Sequence, residues 1–311
     1  MEKNNDLELI KQLLDSAELH DLSDKIAHVE IHGNKVLGLH LVDGLLINSK
    51  RLDDGVDINI TVEKGVKLEN PVRFCFGLIP PDGVQKLKIN TILKEDAEAT
   101  FIAVCTFPNA KNIQHIMDAN ITLEKNAKLT YFERHIHGPH GGVTIVPKTK
   151  VIVKENSSYI SEFELIKGDA GSIDLQYNAD VYKDGSVYMT ARIYGKSYDK
   201  IKILESAHLI EENSAGVLIS HLAVKDNSNA MVENEIVADA PYCKGHVDCK
   251  EIIQGNAKAV AIPKVSVNDP KAQVTHEAAI GSVDSKQLET LMSRGLSEDE
   301  AVDLIVSGLL K

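Results

Sequence analysis

Between residues 55 and 265 the chain alternates apolar and polar positions in short runs broken by polar turns. Ile121-Thr-Leu-Glu-Lys-Asn-Ala-Lys-Leu-Thr-Tyr131 and Val151-Ile-Val-Lys-Glu-Asn-Ser-Ser-Tyr159 are two such units. A period of two is strand geometry with one apolar face. Aligned on Gly65, Asp96, Asn126, Asn156, Asp184 and Asn213, the turns recur at spacings of 31, 30, 30, 28 and 29 residues. That near-constant period predicts stacked coils, each burying its apolar face only against its neighbours. Asn, Asp and Gly suit the corners because they tolerate positive φ or hydrogen-bond their own backbone. Further turns are expected at Asn227 and Asn256, 14 and 43 residues beyond Asn213. An antiparallel meander or sandwich also alternates strands and turns, every 8–12 residues or so. The long regular period favours the solenoid.

The two ends carry a different rhythm. Leu7, Ile10, Leu13, Leu14 and Ala17 form one stripe, which predicts an amphipathic helix behind an Asn5 or Asp6 cap. Leu288, Leu291 and Met292 make a second stripe that Gly295 ends, and Ser297-Glu-Asp-Glu300 is a capping box for a third helix with Ala301, Val302, Ile305 and Leu309 on its apolar face. The expected organisation is a helical segment over 1–30, a β core over 31–283 and a helical tail over 284–311.

Charge narrows the partners. Asp and Glu outnumber Lys and Arg 46 to 34, a formal charge of −12, so no basic stripe is available for a phosphate backbone. No apolar stretch approaches the roughly 20 residues of a membrane span, and the start lacks the basic and apolar regions of a signal peptide. The expectation is a soluble, cytoplasmic protein with no nucleic-acid or membrane partner. Cys75, Cys105, Cys243 and Cys249 are widely spread, which fits free thiols in a reducing compartment. Cys75, between Phe74 and Phe76, reads as core. The phosphate-binding pattern Gly-x-x-x-x-Gly-Lys-Ser/Thr is missing, so any ATP dependence must come from another subunit.

The candidate chemistry gathers late in the chain. Lys244-Gly-His-Val-Asp-Cys249 is followed by His276-Glu277, 28 positions from Cys249 to Glu277, and then by Gln287-Leu-Glu-Thr-Leu-Met-Ser-Arg-Gly-Leu-Ser-Glu-Asp-Glu-Ala301. A thiol, an imidazole and a carboxylate are a ligand mixture suited to iron. These motifs resemble the C-terminal core of the SufB/SufD family, scaffold subunits for iron–sulfur cluster assembly. The resemblance covers roughly residues 90–311 and is strongest from Lys244 onward; the long N-terminal extension of larger SufB proteins is missing. It implies a right-handed parallel β-helix, a transient iron–sulfur cluster held by Cys249 and Glu277, a histidine at His276, and a helical tail that docks the ATPase subunit SufC. It also implies a SufB/SufD-type heterodimer or a homodimer, a sulfur donor protein, and a scaffold role rather than an enzyme's. From bare sequence, the tail could equally cap the open end of the solenoid.

Adjacent strand residues point to opposite faces, so His276 and Glu277 serve one cluster only through a bulge or through two copies. His276 as a plain core histidine is the competing reading. Lys244 and Lys250 would favour the Cys249 thiolate if they approach it. Cys105-Thr-Phe-Pro108, ahead of a strand expected to begin near His115, resembles a SufB segment associated with sulfur relay, although Val104 stands where that segment has glycine. A buried inert thiol is the alternative for Cys105. His135, His137 and His140 form a weaker candidate metal cluster. Cys243, six before Cys249, is another weak ligand candidate, with Gly245 expected to interrupt the strand. Rival functions are a metal-dependent enzyme using the histidine cluster, a SufD-like partner without its own cluster site, and a β-helix enzyme acting on acidic polysaccharide. Few aromatic platforms and the acidic charge argue against the last.

Overall fold

The computed structural model describes residues 2–19, 25–139 and 141–310; His140, one of the three expected cluster histidines, lies outside them. Helix α1 (Glu2–Ser16) opens the chain. The strands are β1 (His28–His32), β2 (Lys35–His40), β3 (Leu45–Arg51), β4 (Gly55–Val62), β5 (Val72–Gly77), β6 (Asp82–Leu93) and β7 (Glu98–Phe107). They continue with β8 (Asn112–Leu123), β9 (Lys128–His137), β10 (Val143–Val153), β11 (Ser158–Lys167), β12 (Ser172–Val181) and β13 (Ser186–Gly195). The last are β14 (Lys200–Leu209), β15 (Ala215–Val224), β16 (Asn229–Ala238), β17 (Lys244–Ile253), β18 (Lys258–Val267) and β19 (Gln273–Ser282), before α2 (Ser285–Met292) and α3 (Glu298–Leu309).

Successive strands alternate between two facing sheets. One runs β19-β17-β15-β13-β11-β9-β7-β5-β1-β2 and the other β18-β16-β14-β12-β10-β8-β6-β4-β3. From β4 onward every pairing is parallel, giving a mainly β protein built as a β-solenoid of about 8 turns.

The corners explain the period. Asp96, Asn126, Asn156, Asp184 and Asn213 all have φ between 55° and 62°, and their side chains stack coil on coil. Asn126 Nδ2 donates to Asp96 Oδ1 at 2.7 Å, Asn156 Nδ2 to Asn126 Oδ1 at 2.8 Å, and Asn213 Nδ2 to Asp184 Oδ1 at 2.9 Å. Short polar side chains therefore both permit the left-handed backbone and tie adjacent coils. This column continues at Tyr242, φ 61°, which its residue type does not advertise. Asn227 and Asn256 are not the pivots expected of them. On the opposite corner the positive φ falls one residue earlier, at Asp226 and Gly255, following Ser197.

Inward positions form one continuous core from Ala27 to Ala272. Strand β14 is typical: Ile201, Ile203, Ala207 and Leu209 point in while the intervening residues are half-exposed.

The ends of the solenoid differ. At the N-terminal end β2 and β3 run antiparallel to β1 and β4, closing both sheets. Helix α1 starts at Glu2 rather than behind Asn5 or Asp6, and lies on the outer wall. There Leu13 and Ala17 pack on Cys75 and Val104, while Leu7 remains 65% exposed. Burying Leu13 contributes about 2 kcal/mol. Cys75 is thus buried under the helix rather than inside the solenoid. At the C-terminal end β18 and β19 are bare edges, and Val260, Val265, Val267 and Ile280 are exposed.

The tail does not plug that opening. Helix α3, started by the Ser297–Glu300 capping box, packs Val302, Val306 and Leu310 against Tyr194, Ala223 and Ile252 on the outer wall. Tyr194 and Lys225 both hold Asp303, pinning the helix to β13 and to the turn that follows β15.

Candidate functional site

A file of polar side chains occupies the solenoid interior, where apolar residues would otherwise meet. Cys105 on β7 is register partner of His135 on β9. The His135 ring contacts Glu133 at 2.8 Å, and the Tyr177 hydroxyl donates to the other Glu133 oxygen at 2.9 Å. Tyr177 on β12 is register partner of Glu205 on β14, which accepts from the Ser220 hydroxyl at 3.2 Å. Asn234 Nδ2 donates to Ser220 Oγ at 2.8 Å and lies 3.7 Å from the Cys249 Sγ. Cys105 and Cys249 are five strand spacings apart in one sheet, about 24 Å.

Burial governs the electrostatics of this file. It pushes Glu205 up to about 8, partly offset by the Ser220 hydrogen bond, so the carboxyl is mostly protonated at neutral pH. Burial, with Glu251, Glu205 and Asp248 adding negative charge, pushes the Cys249 thiol up to about 12. The expectation that Lys244 and Lys250 would activate that thiol is not met. Lys250 points outward and donates to Asp248 at 2.8 Å. Cys249 is a sealed, protonated thiol in this state.

Cys249 nevertheless sits one strand from the bare edge. Its neighbours across the ladder are Ser220 on β15 and Ala278 on β19. The β17–β19 register runs unbroken from Lys244 opposite Gln273 to Ile253 opposite Ser282, so no bulge brings His276 and Glu277 to one face. Val274 packs on the core, which places His276 with the inward set and Glu277 with the outward set. Glu277 pairs in register with Asp248 and adds its charge to the field at Lys250. Within one chain the expected trio is therefore split: Cys249 and His276 share the inner face, and Glu277 stands on the outer one.

Within one chain, the carboxylate beside Cys249 is that of Glu251. Two residues beyond Cys249, it shares the inner face, is 2% exposed, and neither carboxylate oxygen has a hydrogen-bond partner. Burial and the nearby Asp248 push it up to about 7.

The other candidates do not touch Cys249. Cys243 precedes β17 at the corner, held by Ser214 Oγ at 3.2 Å and facing the Glu211 carbonyl at 3.3 Å; β17 runs through Gly245 without interruption. Cys105 lies inside β7 and ahead of β8, which begins at Asn112, close to the start expected near His115. It is fully buried, and burial together with Glu133 raises its thiol well above the usual range. His135 and His137 both point inward, as their spacing predicts.

Glu205, Asn234, Glu251 and His115 escaped the sequence reading. Each interrupts an alternating apolar column, as His115 does between Ile113 and Met117. A polar residue in phase with a buried column is the signal that would have found them.

The solenoid with its interior polar file defines a class of protein, and comparison with known proteins identifies it. The family described as "SUF system FeS cluster assembly, SufBD core domain" matches residues 82–309. An iron–sulfur cluster assembly SufBD family protein of Methanocaldococcus jannaschii is 40% identical over 277 residues, covering 89% of this chain and 88% of that protein. A SufBD family protein of Pyrococcus horikoshii is 33% identical over 287 residues, covering 92% and 87%. The iron–sulfur cluster assembly protein SufB of Bacillus subtilis is 26% identical over 260 residues, 81% of this chain and 54% of that protein. The chain belongs to the SufBD family, which is tied to iron–sulfur cluster assembly. No helix among the described residues is long and apolar enough to cross a membrane.

Proposed function

We propose that this chain is a SufB-like scaffold on which iron–sulfur clusters are built at the open C-terminal end, with Cys249 as the anchoring thiol. The observation that carries this reading is the interior polar file, which ends on Cys249 one strand from a bare edge. Bare parallel edges invite strand addition by another chain. Pairing of two copies, or of this chain with a SufD-type partner, would cover β18 and β19. It would also let Glu277 of one chain meet a cluster held on the inner face of the other, which a single chain cannot arrange.

Cys249 is sealed and protonated, so the cycle needs an opening step. A separate ABC-type ATPase, SufC, docked on α2 and α3, would supply it. Helix α3 is fastened to Tyr194 and Lys225, and Ile252, next to Glu251 in β17 and on the opposite face of the sheet, packs in the same cluster. Movement of the tail therefore acts directly on the outer wall of β17. Opening hydrates Cys249 and Glu251 and lowers both toward their ordinary values, so that Glu251 ionises and Cys249 gives up its proton to the incoming iron. Sulfur from a donor protein would be taken up from its persulfide by a scaffold thiolate, Cys105 in the relay reading, with the donor's own thiolate as leaving group. ATP hydrolysis belongs to the partner, the scaffold itself is no enzyme, and the setting is cytoplasmic.

The metal-enzyme alternative requires substrate access to the histidines, and His135 and His137 are buried inside the solenoid. Co-purification with SufC, followed by maleimide labelling, tests the scaffold reading. The expected outcome is a stable complex in which ATP accelerates labelling of Cys249 at least tenfold. No complex, or labelling indifferent to ATP, rejects it.

A further inference from the structure

Three ligand-bearing side chains meet inside the solenoid far from the open end. Cys105 Sγ, one nitrogen of His115 and one of His135 lie within 4.8 Å of one another, and all three residues are buried. They come from β7, β8 and β9, so both sheets contribute. Phe107 packs against the His115 ring, with centroids 5.1 Å apart, and Phe163 against His135 at 4.9 Å, fixing both rings among apolar neighbours.

The hydrogen bonds around this cluster leave lone pairs facing inward. His135 Nε2 meets the Glu133 carboxylate at 2.8 Å; with the proton on that nitrogen, Nδ1 carries the lone pair, and Nδ1 has no hydrogen-bond partner. Glu133 is itself anchored by the Tyr177 hydroxyl. His137 repeats the device: its Nδ1 donates to the Asp169 carbonyl at 3.0 Å, leaving Nε2 bare and unpartnered. Both nitrogens of His115 lack a partner. Burying a polar atom without a partner costs about 1–3 kcal/mol. A carboxylate behind a histidine, orienting the ring and fixing its tautomer, is the arrangement that supports histidine ligands in metal sites.

We propose that Cys105, His115 and His135 form a buried site for a single borderline-soft divalent ion, Zn²⁺ or Fe²⁺, with His137, on the same face of β9 but outside that close group, as the candidate fourth ligand. One soft sulfur and imidazole nitrogens suit these ions. Tetrahedral bonds of about 2.0–2.3 Å put ligand atoms roughly 3.5 Å apart, so the trio closes by about an ångström when the ion enters. Binding replaces the Cys105 proton by the metal, and that proton leaves to solvent. Because the site is enclosed, the ion loads as the coils close, and metal binding contributes to folding.

The inference does not rest on the assembly reading. Metal and transferred sulfur would compete for Cys105, so the test uses the full chain carrying Cys249→Ser, without sulfur donor or ATPase. The chain is unfolded, refolded with Zn²⁺ or Co²⁺, and dialysed against chelator. The expected result is one ion per chain and, with Co²⁺, a thiolate charge-transfer band that Cys105→Ser and His115→Gln abolish. X-ray absorption of the zinc form should give one sulfur near 2.3 Å and nitrogens near 2.0 Å. That measurement needs no variant, so it stands even where a substitution prevents folding. Refolding with no retained metal, a first shell without sulfur, or binding unchanged in both variants overturns the proposal.

Discussion

The two ends of this solenoid treat a buried carboxylate in opposite ways. At the closed end Glu30, 2% exposed on β1, has the His28 imidazole at 2.8 Å, and antiparallel β2 covers the edge. At the open end Glu251, equally buried on β17, has no partner on either oxygen, and the strand beside it, β19, is the bare edge. The first arrangement is what a finished fold requires. The second leaves a desolvated acid, a raised thiol and exposed apolar strands where another chain would complete them, and the lesson is that the C-terminal end is built for an incomplete state.

The sharpest way to probe that difference is through pH. Glu205, deeper in the same file, has a folded value of about 8 against an ordinary 4.5. The native state therefore holds a proton that the unfolded chain releases above pH 4.5. Stability is full below that pH and falls until about pH 8, by on the order of 4 kcal/mol. Glu205→Gln should flatten this decline in urea unfolding measured from pH 4 to 9. An unchanged pH profile would mean that Glu205 is paired or hydrated. A somewhat smaller effect separates the edges themselves. Val265→Lys combined with Ile280→Lys should weaken self-association by about 100-fold, near 3 kcal/mol, in sedimentation equilibrium. Leu39→Lys on β2, also exposed, should leave it unchanged. Equal effects at both ends would erase the contrast.

Much of the architecture was legible because strand alternation and a repeating corner are local signals. Asp96 and Asn126 reveal the coil period through residue type alone. Tyr242 does not, because there the surrounding coils impose the left-handed backbone on a residue that rarely adopts it. The candidate site was only half legible. Sequence spacing located Cys249 and the adjacent strand, but strand parity sends Glu277 outward and brings in Glu251, which lies two residues from the thiol. His115 pairs with Cys105 across two sheets, a relation set by the stacking of coils and invisible in any local motif. The direction of the tail was likewise hidden, since its apolar stripe fits the outer wall or the open end equally well, and Tyr194 with Lys225 decides between them.

The central claim is that cluster assembly depends on the thiol at the open end. Anaerobic reconstitution with ferrous iron and sulfide, followed by absorbance on the wild type and Cys249→Ser in parallel, tests it most directly. The account expects the wild type to develop the charge-transfer bands of a protein-bound cluster and the variant to lose at least nine-tenths of that signal while remaining folded. A Cys249→Ser chain that assembles cluster at the wild-type rate and yield would contradict it.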